Sequence, residues 1–246
     1  MLQLLKPFGR YCLLLYNAIR SSTEISTYKE NLLREMVKIG FDSMGIIVLV
    51  GVFTGSVLTL QTSYQIGSYL VPQYVIGSIV SQSILIELAA VIMSLVLAGR
   101  VGARIATELG TMRVSEQVDA LEAMGFNSVS FLVVPRVISG ILMFPVLYVV
   151  SGFFGLLGGV ATAALSGAVP ISEFMKGARM FFYERDVAFG MIKAMVFGYT
   201  ITSIACFKGY YASGGAEGVG TNTTRATVLS CIFVLLADLM LAAILL

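Results

Sequence analysis

The chain of 246 residues has no histidine, no tryptophan, three cysteines, five prolines and few charges: Asp, Glu, Lys and Arg make up 12% of it. An ordinary soluble domain is about 25% charged, so the shortage excludes a soluble fold. The missing histidine removes the commonest general base and metal ligand, and with it the usual Ser-His catalytic arrangements. Cys12, Cys206 and Cys231 show no metal-ligand spacing and read as small apolar fillers. A net charge of +2 gives nucleic acid no bulk attraction. No metal site, no cofactor and no catalytic residue are expected.

What is present is apolar. Hydrophobic residues make up 57% of the chain, and the mean hydropathy is +0.90. That leaves room for five or six membrane spans of about 20 residues each. The fold class is therefore all-α and polytopic. Residues 1–40 read as an amphipathic, interfacial N-terminal region, and 41–246 as a single transmembrane domain. In the first twenty residues, Leu4, Leu5, Phe8, Cys12, Leu15 and Ile19 recur at helical spacing among Lys6, Arg10 and Arg20. This is the pattern of a helix lying on a membrane surface. Arg10 and Pro7 interrupt what a signal peptide would keep unbroken. Thr27 and Glu30 fit a capping box ahead of a basic helix carrying Arg34 and Lys38.

The block Ser43 to Gly99 holds two spans, about 43–68 and 74–99, with the turn at Tyr69 to Gln73, because Pro72 disfavours a helical Val71. Gly51 and Gly55 form a small-xxx-small pair that permits close helix approach. The next apolar run, Val137 to Ser172, is long for one span and short for two, and is read as one helix over about 137–168. Spans four and five follow at about 187–207 and 226–246. With five spans, 12 of the 16 Lys and Arg residues fall on the N-terminal side, which makes that side cytoplasmic. Six spans would satisfy the same rule, so only the length of the third run selects five.

Three ionisable residues are stranded in apolar sequence. Glu87 is the one charged residue in the 57 from Ser43 to Gly99, Lys193 lies within Val187 to Phe207, and Asp238 within Ala226 to Leu246. A charge at the bilayer centre costs at least about 2.5–3.5 kcal/mol, so such residues face a partner, a bundle interior or water. Counted from the charged ends of their spans, all three fall at a similar depth, and pairing Glu87 with Lys193 is the cheapest arrangement.

The polar stretch between spans two and three, residues 100–136, contains Glu108-Leu109-Gly110-Thr111-Met112-Arg113-Val114-Ser115-Glu116-Gln117-Val118-Asp119-Ala120-Leu121-Glu122-Ala123-Met124-Gly125. Ser115 can cap a short helix over 115–124, with Glu116 and Asp119 near its N-terminus, and Gly125 can end it. Such a helix either docks in another protein's groove or lies on its own bundle.

This stretch, with Ala98-Gly99-Arg100-Val101-Gly102-Ala103 before it, closely resembles the MlaE-type permease family. Lys193, Lys208-Gly209-Tyr210 and Thr223-Thr224-Arg225-Ala226-Thr227 follow in family order. These permeases are membrane subunits of ABC systems that carry lipids between membranes. The resemblance implies a homodimer of five-span protomers in the bacterial inner membrane. It implies partnership with an ABC ATPase subunit that binds the ATP, and with an MCE-domain lipid-binding protein. It makes Glu116, Gln117, Ala120 and Leu121 part of an ATPase-coupling helix. It places Leu58, Gln65, Ile66 and Tyr69 on the wall of a phospholipid cavity; their spacing puts them on one helical face.

The chain departs from the family where many members have a basic residue just before the glutamate and a Gly-Pro soon after it. Here the run is Leu85-Ile86-Glu87-Leu88-Ala89-Ala90. A nucleotide-binding reading of Gly209 to Thr221 fails, because the stretch lacks the Gly-Lys-Ser/Thr ending of a phosphate loop; it reads as a flexible connection. The function expected is phospholipid movement between the inner and outer membranes, driven by ATP hydrolysed on a separate chain. The alternative is an ion- or proton-coupled secondary transporter using Glu87, Lys193 and Asp238. Such a carrier often shows an internal repeat, and none is apparent.

Overall fold

A computed structural model describes residues 2–20, 29–66, 71–167 and 169–245. They are helical almost throughout, with five helices long and apolar enough to cross a membrane. Helix α1 (Leu2–Arg20) precedes them. Its Leu14 is buried, while Leu13 and Tyr16 are exposed. Tyr11 meets Ser203 Oγ at 2.9 Å and packs edge-on against Phe207. Burial pushes the Tyr11 phenol up to about 12, so it stays a neutral hydrogen-bonding group. Of the expected capping box, Thr27 lies outside the described residues.

The first span runs from Lys29 to Gln65. It comprises α2 (Lys29–Met36), one π-helical turn over Val37–Phe41, and α3 (Asp42–Gln65). The second runs from Tyr74 to Val114, well past Gly99. Its parts are α4 (Tyr74–Ser83), a π turn at Ile84–Leu88, α5 (Ala89–Leu97), a second π turn at Ala98–Gly102, and α6 (Ala103–Val114). The helix continues beyond the apolar block because Arg104 and Glu108 are one turn apart on one face and pair at 3.6 Å.

Short α7 (Gln117–Ala123) and α8 (Ser128–Leu132) lead to α9 (Val134–Ser166), a single helix of 33 residues. Pro145 stands inside α9, where it cannot donate to the carbonyl four residues back. Helix α10 (Ile171–Met180) occupies a stretch the apolar pattern leaves without a helix. Helices α11 (Glu184–Tyr210) and α12 (Gly215–Leu245) complete the chain.

The expected flexible connection at 209–221 is a correction. Only Tyr211 to Gly214 separate α11 from α12, and the Gly-rich segment from Gly215 on is helical. Gly214 and Gly215, at φ +94° and +67°, make the turn that side chains disfavour. Beyond it Thr221, Thr223, Thr224 and Thr227 each bond back to the carbonyl four residues earlier. Their hydroxyls are thus satisfied within the helix.

The chain divides into two compact units. One contains 1–41, 95–143 and 196–237; the other contains 42–94, 144–195 and 238–246. In the second unit α3 and α9 meet backbone to backbone. Gly51 faces the Ser151 carbonyl, Gly55 faces that of Gly155, and Ser56 Oγ donates to the Gly158 carbonyl at 3.2 Å. The Gly51/Gly55 pair read from the sequence is this crossing. In the first unit the Gly209 position of α11 lies against Ala106 of α6, again with no space for a side chain.

Candidate functional site

The three stranded charges meet, all within the second unit. The Lys193 side chain is fully buried and its Nζ donates to Glu87 Oε2 at 2.6 Å. It also lies 2.7 Å from Asp238 Oδ1, a charge contact without a hydrogen-bonding angle. The Phe189 ring, one turn earlier on α11, has its centroid 4.7 Å from the same ammonium. One cation therefore serves two carboxylates, and the group carries a net −1 when all three are ionised. Glu87 and Asp238 keep 39% and 17% of their side-chain surface exposed. The centre is thus closed around the lysine and open at the carboxylates, which can receive water, a proton or a polar headgroup. An unpaired Lys193 in this place would cost several kcal/mol.

Glu87 sits in the π turn Ile84–Leu88. There the Ala89 N–H reaches back five residues to the Ile84 carbonyl, bypassing the Leu85 carbonyl that a regular helix would offer it. Buried Tyr148 of α9 donates its hydroxyl to that Leu85 carbonyl at 2.7 Å. Nothing in Ile84-Leu85-Ile86-Glu87-Leu88 announces the bulge, and Tyr148 was not singled out by sequence.

The first unit holds a second ion cluster that sequence reading missed: Glu35, Lys38, Arg104, Glu108 and Arg136. Arg136 is buried, donates to the Leu132 carbonyl at 2.6 Å and to Glu108 at 3.3 Å, and stands 3.6 Å from Glu35. Arg104 donates to the Lys38 carbonyl at 2.9 Å and faces Glu35 and Glu108. The cluster ties the start of span one to α6 and the start of α9. Its one legible trace was the one-turn spacing of Arg104 and Glu108.

The short helix between spans two and three is Gln117–Ala123, not 115–124. Ser115 does not cap it. Helix α6 reaches Val114, so the Ser115 hydroxyl finds the Thr111 carbonyl at 2.7 Å and closes α6 instead. Glu116 makes the break with a left-handed backbone at φ 60°, uncommon for a residue with a side chain. Gly125 ends α7 as expected: at φ +82° it donates to the Glu122 carbonyl, and Phe126 donates to that of Leu121. Val118 is buried, whereas Glu116, Gln117 and Ala120 are exposed and Leu121 is half-buried. Asp119 pairs with Arg113 at 2.6 Å, and Glu122 accepts from Ser128 and Tyr210, so this small helix is held at both ends.

Leu58, Gln65 and Ile66 lie at the end of span one, beside its buried line Gly51, Gly55, Thr59 and Thr62. Gln65 is exposed and the other two half-buried. Tyr69 falls outside the described residues.

Five helices long and apolar enough to cross a membrane, with an ion centre of Glu87, Lys193 and Asp238 in one of the two units, define a polytopic membrane protein. The family model described as Permease MlaE matches residues 32–244, and the chain belongs to that family. Among its relatives is a probable ABC transporter permease protein of Rickettsia bellii, 36% identical over 237 residues, covering 96% of this chain and 91% of the relative. The intermembrane phospholipid transport system permease protein MlaE of Haemophilus influenzae is 32% identical over 242 residues, covering 97% and 92%. The chloroplastic protein TRIGALACTOSYLDIACYLGLYCEROL 1 of Arabidopsis thaliana is 36% identical over 216 residues, covering 87% of this chain and 61% of that one.

Proposed function

We propose that this chain is the membrane subunit of an ABC system that moves phospholipid between the inner and outer membranes. The observation that carries the reading is the near full-length likeness to the Haemophilus phospholipid permease. On this reading ATP is bound and hydrolysed by a separate subunit, and the permease holds no cofactor of its own. The exposed residues Gln117 and Ala120 of α7, with Glu116 just before it and Leu121 beside them, are the surface that receives the ATPase. Their short, doubly anchored helix is suited to passing on a push. The permease works as a homodimer with an MCE-domain partner in the bacterial inner membrane. Its N-terminus is cytoplasmic, the side richer in Lys and Arg. Leu58, Gln65, Ile66 and Tyr69 line the lipid path.

A second reading is favoured by one observation, the Lys193 ammonium between two partly open carboxylates. Such a centre also suits proton- or ion-coupled transport. The test is reconstitution of the purified complex with donor and acceptor vesicles. ATP-dependent phospholipid transfer, lost when the ATPase subunit is omitted, supports the first reading. Transfer that follows an imposed ion gradient without ATP supports the second.

A further inference from the structure

We propose that Tyr148 is a positioning residue: its hydroxyl pins the helical bulge that aims Glu87 at Lys193. Four observations converge on it, all within the second unit. The Ala89 N–H bypasses the Leu85 carbonyl, and the Tyr148 hydroxyl occupies that carbonyl at 2.7 Å. Tyr148 is 1% exposed, so no water competes for this bond. Glu87 lies two residues further on, inside the same bulge, and accepts from Lys193 at 2.6 Å. Finally, α11 touches both ends of the arrangement: Gly190 packs against the Tyr148 ring and hydroxyl, and Lys193 follows one turn later.

The register explains why the bond matters. Each residue advances a helix by about 100°, so absorbing the extra residue would rotate one flank of the bulge by that angle relative to the other. Glu87 would swing off Lys193, leaving the buried ammonium with Asp238 alone. A π turn is the less favoured register, and an unfilled carbonyl at a buried bulge costs free energy of its own. The phenol removes that cost in the bulged register only. Gly190 is required because any side chain there would collide with the hydroxyl. That the triad serves transport rests on the function proposed above.

The test is a double-mutant cycle of Tyr148→Phe with Glu87→Gln in the full-length protein, read by thermal unfolding and by phospholipid transfer in the reconstituted complex. Tyr148→Phe in the Glu87 background should lower the unfolding midpoint clearly more than it does beside Glu87→Gln. It should also slow transfer by about tenfold, the equivalent of one lost hydrogen bond. In the Glu87→Gln background it should slow transfer no further. Equal losses in both backgrounds would make Tyr148 a packing residue and overturn the proposal, as would no loss at all. If Tyr148→Phe does not fold, Gly190→Ala, whose methyl pushes the Tyr148 ring and hydroxyl together away from the Leu85 carbonyl, enters the same cycle with the same expectations. Should the unmodified complex move no phospholipid, the function proposed fails, and the unfolding cycle still decides the role of Tyr148.

Discussion

Lys193 is where the physics is least forgiving. A fully buried ammonium has two carboxylates within 2.7 Å. Removing it leaves two neighbouring anions without a cation. Lys193→Met should destabilise the protein by up to about 3 kcal/mol, the low end for breaking a buried pair because Glu87 stays partly exposed. Chemical denaturation in detergent measures it. Pairing Glu87 with Lys193 follows from their isolation and similar depth. That Asp238 is a third member within contact distance does not follow from depth alone, since depth does not fix the angle around the bundle. The third member changes the expected behaviour of a charge swap. With Glu87→Lys and Lys193→Glu together, the new Glu at 193 faces Asp238 and repels it. Adding Asp238→Asn should restore more folded protein and more function than the double swap alone. A triple variant no better than the double one would show that Asp238 is not coupled to the pair.

Helices follow the sequence wherever apolar runs end in charge, and depart from it where polar side chains find partners in the fold. The five spans are legible from long uncharged runs. The extension of span two to Val114 was not, because it depends on Arg104 and Glu108 pairing with Glu35, Lys38 and Arg136 from distant segments. Helix α10 was missed because only Phe174 and Gly177 of its ten residues are buried, too short a signal to stand out between two spans. The glycine pair on α3 was legible, and it separates two kinds of glycine. Gly55→Ala pushes a methyl into the Gly155 carbonyl and should cost about 1–3 kcal/mol by overpacking. Gly45→Ala, in the same helix with open space around it, should be neutral or add up to about 1 kcal/mol of stability. Unfolding midpoints of the two variants provide the comparison. Glu116 offers a third contrast. Its left-handed backbone costs of order 1 kcal/mol that glycine would not pay. Glu116→Gly should therefore raise stability slightly and keep α7 in place. If its carboxylate touches the ATPase, the same variant should bind that subunit less well in co-purification. Unchanged binding would remove Glu116 from the coupling surface.

At the scale of the whole molecule, family membership was legible from the wording between Ala98 and Leu121, and the match over residues 32–244 bears it out. On the function proposed above, the ion centre, the exposed side of α7 and the flank of span one around Leu58 and Ile66 have separate tasks. On that proposal they serve as a switchable core, a surface for the motor and a face for acyl chains. The most direct measurement places photocrosslinkers at Leu58, Gln65 and Ile66 in the reconstituted complex and follows captured phospholipid with and without ATP. These positions should capture phospholipid in a nucleotide-dependent way, while exposed positions of α12 such as Leu239 sample bulk lipid regardless of nucleotide. Equal capture at both sets, unchanged by ATP, would contradict it.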